Sequence, residues 1–382
     1  MAAAAQPSSS SLDVGAELAD KKGIYEVRKG LLVEVIEKRG FKKHRHFKGS
    51  LPESRGIEKG FDSGPVYTVY AEDSHVDVAA GLTLIDSRPI RQTAVVRKLV
   101  DNYETPSNAD IALARTVDPS QIILPLSSQR IGNYCRWWLD SIAKLFICSH
   151  STLLRSQLRG GSLNVVLGEL PEKFQRETID LLKWQTPIHA GTPDRLLRGR
   201  SINSSGITFG GGQRIGAIMK ELPYFLDVVF PYAGRKPAVS TGPLLYISRN
   251  EASMRQLMNE DEIIPGLRDL GFHIMRPGAV SLESQIAAFR DAKVVVAVHG
   301  AGLTNIIFCR PGTTLVEIFP DGGVHGSAFL RISSRLGFNY YFVVGKKVAN
   351  VQGRKNPNNS NLTLDQQSFL GFLRQVLADA KI

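Results

Sequence analysis

The residues best equipped for chemistry lie in Val294–Pro320, VVVAVHGAGLTNIIFCRPGTTLVEIFP. His299 is followed by Gly300, Ala301 and Gly302, and a helix is expected to start near Leu303. Small residues there let backbone N–H groups approach a ligand. A Gly-rich turn from strand into helix is an anion site, because its unpaired amides and the helix dipole point at the ligand. Thr304 and Asn305 fall in the expected first turn, where short polar side chains either reach a phosphate or cap the helix. His299 could donate to a phosphate or a sugar hydroxyl; the plainer reading is a ring satisfied by a backbone carbonyl. Glu317 is the one acid of the apolar run Thr314–Phe319 and needs a partner. A ribose hydroxyl would serve, as would a core hydrogen bond.

Two further groups carry chemistry. Ser248 and Arg249 end the apolar run Leu244–Ser248, and strand carboxyl ends face the ligand crevice of open α/β sheets. Arg249, with Arg255 nearby, could clamp a diphosphate through charge-assisted bonds; otherwise both are surface cations. In Asn133–Cys148, NYCRWWLDSIAKLFIC, Asp140 is a catalytic base, a surface acid or the partner of Arg136 at i, i+4. Trp137 and Trp138 could stack on a sugar, with one of them expected in the core.

These residues need elements to hold them. Leu31–Ile36, Val66–Tyr70 and Leu82–Ile85 read as short strands of a β-rich region. Ile122–Leu124 and Asn164–Leu167 read as buried strands. Trp138, Ile142, Leu145 and Phe146 recur at the spacing of an amphipathic helix, and Glu172–Leu182 is helical. A Pro-punctuated linker is expected from Pro223 to Pro243. Beyond it, strands at Leu244–Ser248, Phe272–Met275, Val294–Val298, Thr314–Phe319 and Tyr340–Val344 alternate with helices, which describes a Rossmann-like parallel sheet. Asn259 and Ser281 are expected helix caps, and Thr363–Gln366 a capping box before a helix burying Phe369, Phe372, Leu373, Val376 and Leu377. The expected divisions are a disordered tail over 1–22, a β-rich region over 23–110, an α/β domain over 111–230, a Rossmann-like domain over 231–362 and a final helix over 363–382.

The chain has 382 residues, 43% hydrophobic and 22% charged, which is ordinary for a soluble globular protein of about two domains. No apolar run approaches the roughly 18 residues of a membrane span, and the first twenty residues lack the pattern of a secretory signal. The cysteines, Cys135, Cys148 and Cys309, are odd in number and widely spaced, which argues against a disulfide framework or structural zinc and for a cytoplasmic home. The net charge of +11 is partly concentrated in Lys38–Lys48. Such a run suits an anionic lipid surface or a polyanion, or is a solvated loop; no signature of nucleic-acid binding accompanies it. There is no Walker lysine, GxSxG elbow, HExxH or paired metal-binding acid at a strand end. The GxGxxG dinucleotide pattern lacks its third glycine at Asn305, and Glu317 is closer than that pattern's acid.

Taken together, HGAGLTN with PGTTLVEIFP, the block Tyr246–Arg249 with Arg255, Asn259 and Glu260, and Asn133–Asp140 resemble glycosyltransferase family 61, whose bacterial members include capsular-polysaccharide biosynthesis proteins. The likeness runs from about 120 to about 345, in the family's order. It implies a GT-B-like α/β fold of two facing Rossmann-like domains. It also implies an inverting transfer from a nucleotide sugar, usually a UDP-sugar, to a glycan or lipid-linked acceptor, with no cofactor and no obligate metal. Ser248, Arg249, Arg255, Gly300, Ala301, Gly302, Thr304 and Asn305 would hold the donor nucleotide, and Glu317 its ribose. His299, Arg136 and Asp140 would be catalytic, Asp140 as the base, and Asn133 and Trp137 would meet the acceptor. Arg136 departs from the family, which has a His at that position. The resemblance thus leaves a second hypothesis, a nucleotide- or glycan-binding relative that has lost its base; an NAD- or S-adenosylmethionine-dependent enzyme is weaker. A bacterial-type enzyme in the cytoplasm, with its basic run touching the anionic inner membrane, is the expected setting.

Overall fold

The computed structural model describes residues 11–13, 18, 20–38, 40–42, 47–48, 61–63, 65–93, 100, 103–128, 131–191, 194–204, 217–231, 242–321, 328–348 and 359–382. Most of the expected tail, residues 39 and 43–46 of the basic run, and the glycine-rich 206–212 stretch lie outside these. The chain divides into two compact units, one of Met1–Phe41, Asp62–Asp180 and Trp184–Ile218, the other of Lys42–Phe61, Leu181–Lys183 and Met219–Ile382.

The first unit is built on one mixed sheet. Its main strands are β1 (Gly23–Arg28), β2 (Leu31–Glu37), β3 (Val66–Asp77), β4 (Leu82–Ile85), β5 (Gln121–Pro125), β6 (Ser162–Val166), β7 (Ile188–His189) and β8 (Leu196–Ser204). The order is β1-β2-β3-β8-β5-β6-β7, with β4 paired to β3. The β1/β2, β2/β3 and β3/β8 pairs are antiparallel, whereas β8/β5, β5/β6 and β6/β7 are parallel. The 23–110 stretch is therefore not separate from the α/β stretch after it: β8 joins them. This strand, LLRGRSINS, escapes a reading for apolar runs because arginines and serines interrupt it. Its Ser201, Asn203 and Ser204 are buried, with Ser201 bonded to Ser74 and Asn203 to the Gly81 carbonyl. Part of the expected disordered tail is also packed, since Leu12 bridges Ile90 and Leu18 is buried with Leu31, Val33 and Tyr67. Apolar burial outweighs the ordering cost of those few residues.

The second unit is a parallel sheet of β9 (Leu244–Ile247), β10 (His273–Met275), β11 (Val294–Val298), β12 (Thr314–Pro320) and β13 (Asn339–Val348), edged antiparallel by β14 (Asn361–Thr363). The order is β10-β9-β11-β12-β13-β14. β11 and β12 are buried along their whole length, as central strands covered on both faces should be. Tyr246, Val296 and Ile318 of the sheet pack with Phe369, Leu373 and Val376 of the last helix, Gln366–Ala380. That helix is capped by Asp365, which accepts from the Ser368 amide, rather than by a box at Thr363. The expected linker begins as the helix Leu222–Val229, with Pro223 in its first turn, where a missing N–H costs nothing.

One buried anion ties the first unit together. Glu34 on β2 accepts from the hydroxyls of Thr68, Ser151 and Thr152 and from the amides of Thr152 and Leu153. Burial pushes its pKa up, but these donors together outweigh burial and hold it below the ordinary value. A depressed folded-state pKa contributes stability above the unfolded value, lost as pH falls through the folded one. Glu34→Gln should therefore lower stability by about 1–3 kcal/mol at pH 7, with a difference from wild type that shrinks toward pH 3. Urea unfolding at the two pH values checks it.

Candidate functional site

Consecutive parallel strands of the second unit place its site. From β9 the chain crosses one way to β10, then back past β9 to β11. At such a reversal the connections leave in opposite directions and open a crevice at the strand carboxyl ends. Ser248 and Arg249 follow β9 there, and His299 and Gly300 follow β11. A cavity of about 230 Å³ lies at this point, lined among others by Arg249, Asn250, Arg276, Val298 and Gly302.

Gly300 is needed for space rather than for its backbone angle. A Cβ there would come within 2.1 Å of the Arg249 guanidinium. Arg249 donates Nε–H to the Met254 carbonyl at 3.0 Å. Burial, and then the charge of Arg255, bring its pKa down to about 10, so it is still a cation at neutral pH. Arg255 is lowered by burial, with Glu317 acting the other way. Its φ of 57° is in the left-handed region, its Nε is buried without a hydrogen-bond partner, and among the described residues no carboxylate forms an ion pair with either arginine. Two adjacent, partly desolvated cations without an ion-pair partner are a receptor for a multiply charged anion.

The turn beyond Gly300 enters a 3-10 helix, Ala301–Phe308, rather than the expected α-helix. Leu303 already donates to the Gly300 carbonyl, while the amides of Ala301 and Gly302 before it lack intrahelical acceptors. Ala301 is partly exposed and Gly302 lines the cavity, in keeping with a backbone cradle. Four side chains expected on the ligand are placed otherwise. Ser248 is buried and donates to Glu260 at 2.6 Å. Thr304 is buried with an unpartnered hydroxyl. Asn305 is buried and donates to Gln285 at 3.0 Å, fastening the 3-10 helix to Leu282–Asp291. Glu317 is 1% exposed, so the expected ribose contact gives way to an internal role: Oε1 lies 2.5 Å from His299 Nδ1, and Oε2 accepts from Tyr340. His299 itself stacks on Phe319 and meets Phe329 edge-on.

Two organising residues escaped the sequence reading. Glu260, named only within the family-like block and given no role there, accepts from Tyr246, Ser248 and the Arg249 amide, and so holds the end of β9 in place. Tyr340 seats Glu317. Asn259 does not cap its helix; its amide clamps the backbone of Leu364 instead.

In the first unit, the Asn133–Ser149 segment is buried from Trp137 to Cys148 rather than amphipathic. Trp137 and Trp138 are both core; Trp137 donates to Thr178 at 2.9 Å, so it is no acceptor platform. Asn133 is exposed and caps the helix by accepting from the Arg136 amide. Trp137–Ile142 forms a π-helical turn, a feature frequent at functional sites. Asp140 lies in that turn, fully buried, 3.2 Å from Arg136. A base must reach its substrate's hydroxyl, and this enclosed, paired carboxylate is placed as a partner of Arg136. One turn on, buried Lys144 donates to the carbonyls of Gly81, Pro125 and Ser127, and burial brings its pKa down to about 8.

A family model described as Glycosyltransferase 61 matches residues 120–316, a little more than half of the chain. The chain belongs to glycosyltransferase family 61. The match spans Asp140, Arg249 and the Gly300 turn. This family 61 chain is 39% identical over 85 residues to alpha-1,3-arabinosyltransferase XAT3 of Oryza sativa subsp. japonica, covering 21% of the chain and 14% of that protein. It is 34% identical over 83 residues to beta-1,2-xylosyltransferase XYXT1 of the same plant, covering 21% and 17%. Over 76 residues it is 33% identical to a beta-1,2-xylosyltransferase of Arabidopsis thaliana, covering 16% and 14%. The match thus spans less than a fifth of each of these curated relatives. They lend no support to the bacterial capsular-polysaccharide subtype.

Gly300→Ala should push the Arg249 guanidinium aside, since the far end of a flexible side chain is what yields. Binding of inorganic diphosphate should weaken about tenfold or more with little change in melting temperature; calorimetry and thermal unfolding on one preparation check both.

Proposed function

We propose that this chain is an inverting, metal-independent glycosyltransferase that moves a sugar from a UDP-sugar to a glycan or lipid-linked acceptor. The observation that carries this reading is Arg249 packed against Gly300 at the strand reversal, with the charge of Arg255 acting on it. When the bond between sugar and diphosphate breaks, charge gathers on the departing diphosphate. Cations already desolvated and held in place stabilise that charge without reorganising. In this reading the C-terminal unit holds the donor, the N-terminal unit serves the acceptor, and the two stand in a GT-B-like arrangement. The matched relatives are named as arabinosyl- and xylosyltransferases, so UDP-pentoses are the donors to test first. Cytoplasmic action at an anionic membrane goes with a lipid-linked acceptor. It requires the basic run to hold the protein on acidic vesicles, and binding that survives neutralising Lys42, Lys43, Arg45 and Lys48 would end it.

A second reading, a nucleotide-binding relative without turnover, is favoured by the enclosure of Asp140 and its pairing with Arg136. Turnover of a UDP-sugar separates the two.

Titration with UDP, GDP, CMP, NAD and S-adenosylmethionine, with and without EDTA, tests the donor site. UDP should bind irrespective of EDTA, and Arg249→Ala should weaken it about tenfold to a hundredfold with the fold intact. Binding of NAD or S-adenosylmethionine alone would refute the donor site. Asp140→Asn should abolish transfer and spare UDP binding if Asp140 is the base; full activity would remove that role.

A further inference from the structure

We propose that a nucleotide sugar binding beside His299 brings a proton with it, because the ring must then serve Glu317 and a phosphate oxygen at once. The inference rests on the donor reading above and deepens it.

Glu317 is buried, its Oε2 is taken by the Tyr340 hydroxyl, and its Oε1 lies against His299 Nδ1. A carboxylate only accepts hydrogen bonds, so His299 must present Nδ1–H to it. A neutral imidazole then has a lone pair, not a hydrogen, on Nε2. Nε2 has no hydrogen-bond partner among the described residues. The ring is held between Phe319 and Phe329, and turning it over would give up the Glu317 contact. His299 immediately precedes Gly300, where Arg249 marks the anion cradle. Phosphate oxygens are acceptors too. A neutral ring would set a lone pair against them, whereas an imidazolium donates on both sides and adds a cation to the Arg249 pair.

The charged groups near the ring act on it in opposite directions. Glu317 favours the second proton; Arg255, which acts on Glu317, and Arg249 beyond Gly300 oppose it. Tyr340 is kept as a neutral donor by burial, and the two rings that meet His299, Phe319 and Phe329, are apolar. A diphosphate offsets the two arginines and tips the balance. Uptake of a proton on binding means that affinity falls as pH rises. No bond to His299 forms; the proton comes from solvent and stays on Nε2, hydrogen-bonded to the diphosphate.

The test is calorimetric titration with UDP-xylose at pH 8, above the ordinary range of a histidine, in two buffers of different ionisation enthalpy. The diphosphate of a nucleotide sugar has no group titrating there, so any proton taken up belongs to the protein. The expected result is uptake approaching one proton per nucleotide sugar, retained in Tyr340→Phe. His299→Gln should lose it. Glu317→Gln should lose it too, because its amide can donate to Nδ1 and leave Nε2–H on a neutral ring. No uptake by the wild type, or the same uptake in His299→Gln, would overturn the proposal. If UDP-xylose does not bind at all, the donor reading has failed, and inorganic sulfate decides the linkage separately. On protein labelled with 15N-histidine, sulfate at pH 8 should move both His299 ring nitrogens to protonated positions, and an unmoved Nε2 resonance would overturn it.

Discussion

One guanidinium packed against a bare glycine, with the charge of a second acting on it, sets the terms for the C-terminal unit. Arg249 and Arg255 repel each other and have lost part of their hydration, and neither has a carboxylate in ion-pair contact among the described residues. Such an arrangement persists only if its surroundings impose it. The Met254 carbonyl holds one Nε–H, Arg255 is held in a left-handed backbone conformation, and Gly300 leaves the volume that Arg249 fills. Strain and like-charge repulsion of this kind concentrate where a ligand relieves them.

The acids near the pair act by positioning rather than by neutralising. Glu260 gathers Tyr246, Ser248 and the Arg249 amide at the end of β9. Glu317 takes His299 and Tyr340 at β12. Each is buried with its oxygens spent on specific donors, the condition under which a buried carboxylate is tolerated. Directing these acids inward leaves the arginines' charge for a ligand. In the first unit Glu34 follows the same rule, and Lys144 is its cationic counterpart, its three N–H bonds matched to three carbonyls.

The strand reversal is what turns these local facts into a site. Arg249 and Gly300 are fifty-one positions apart in the chain. β9 and β11 pair directly, Leu244 opposite Val294, so the residues following each strand emerge side by side. The same order leaves β11 and β12 in the middle of the sheet, where covering on both faces demands mainly apolar residues, broken in the interior of β12 by the hydrogen-bonded Glu317.

Sequence alone determined what local chemistry dictates. Val294–Val298 is a strand because only a doubly covered strand needs five apolar residues in a row, and Ser281 caps Leu282–Asp291 because a serine hydroxyl can accept from an amide three residues on. The parallel C-terminal sheet and the Arg249 and Gly300 positions at strand ends followed from the same logic. Tertiary structure decided which polar groups face a ligand and which face the core. Ser248, Asn305, Glu317 and Trp137 have the right types at the right spacing, yet each finds its hydrogen-bond partner at least twelve residues away in sequence: Glu260, Gln285, His299 and Tyr340, and Thr178. Strand β8 stayed hidden because its Ser201 and Asn203 are satisfied by Ser74 of β3 and by the Gly81 carbonyl, partners that exist only after folding. A polar side chain is cheap to bury once a distant partner is fixed in place and costly before that, so its role cannot be read from its neighbours in the chain.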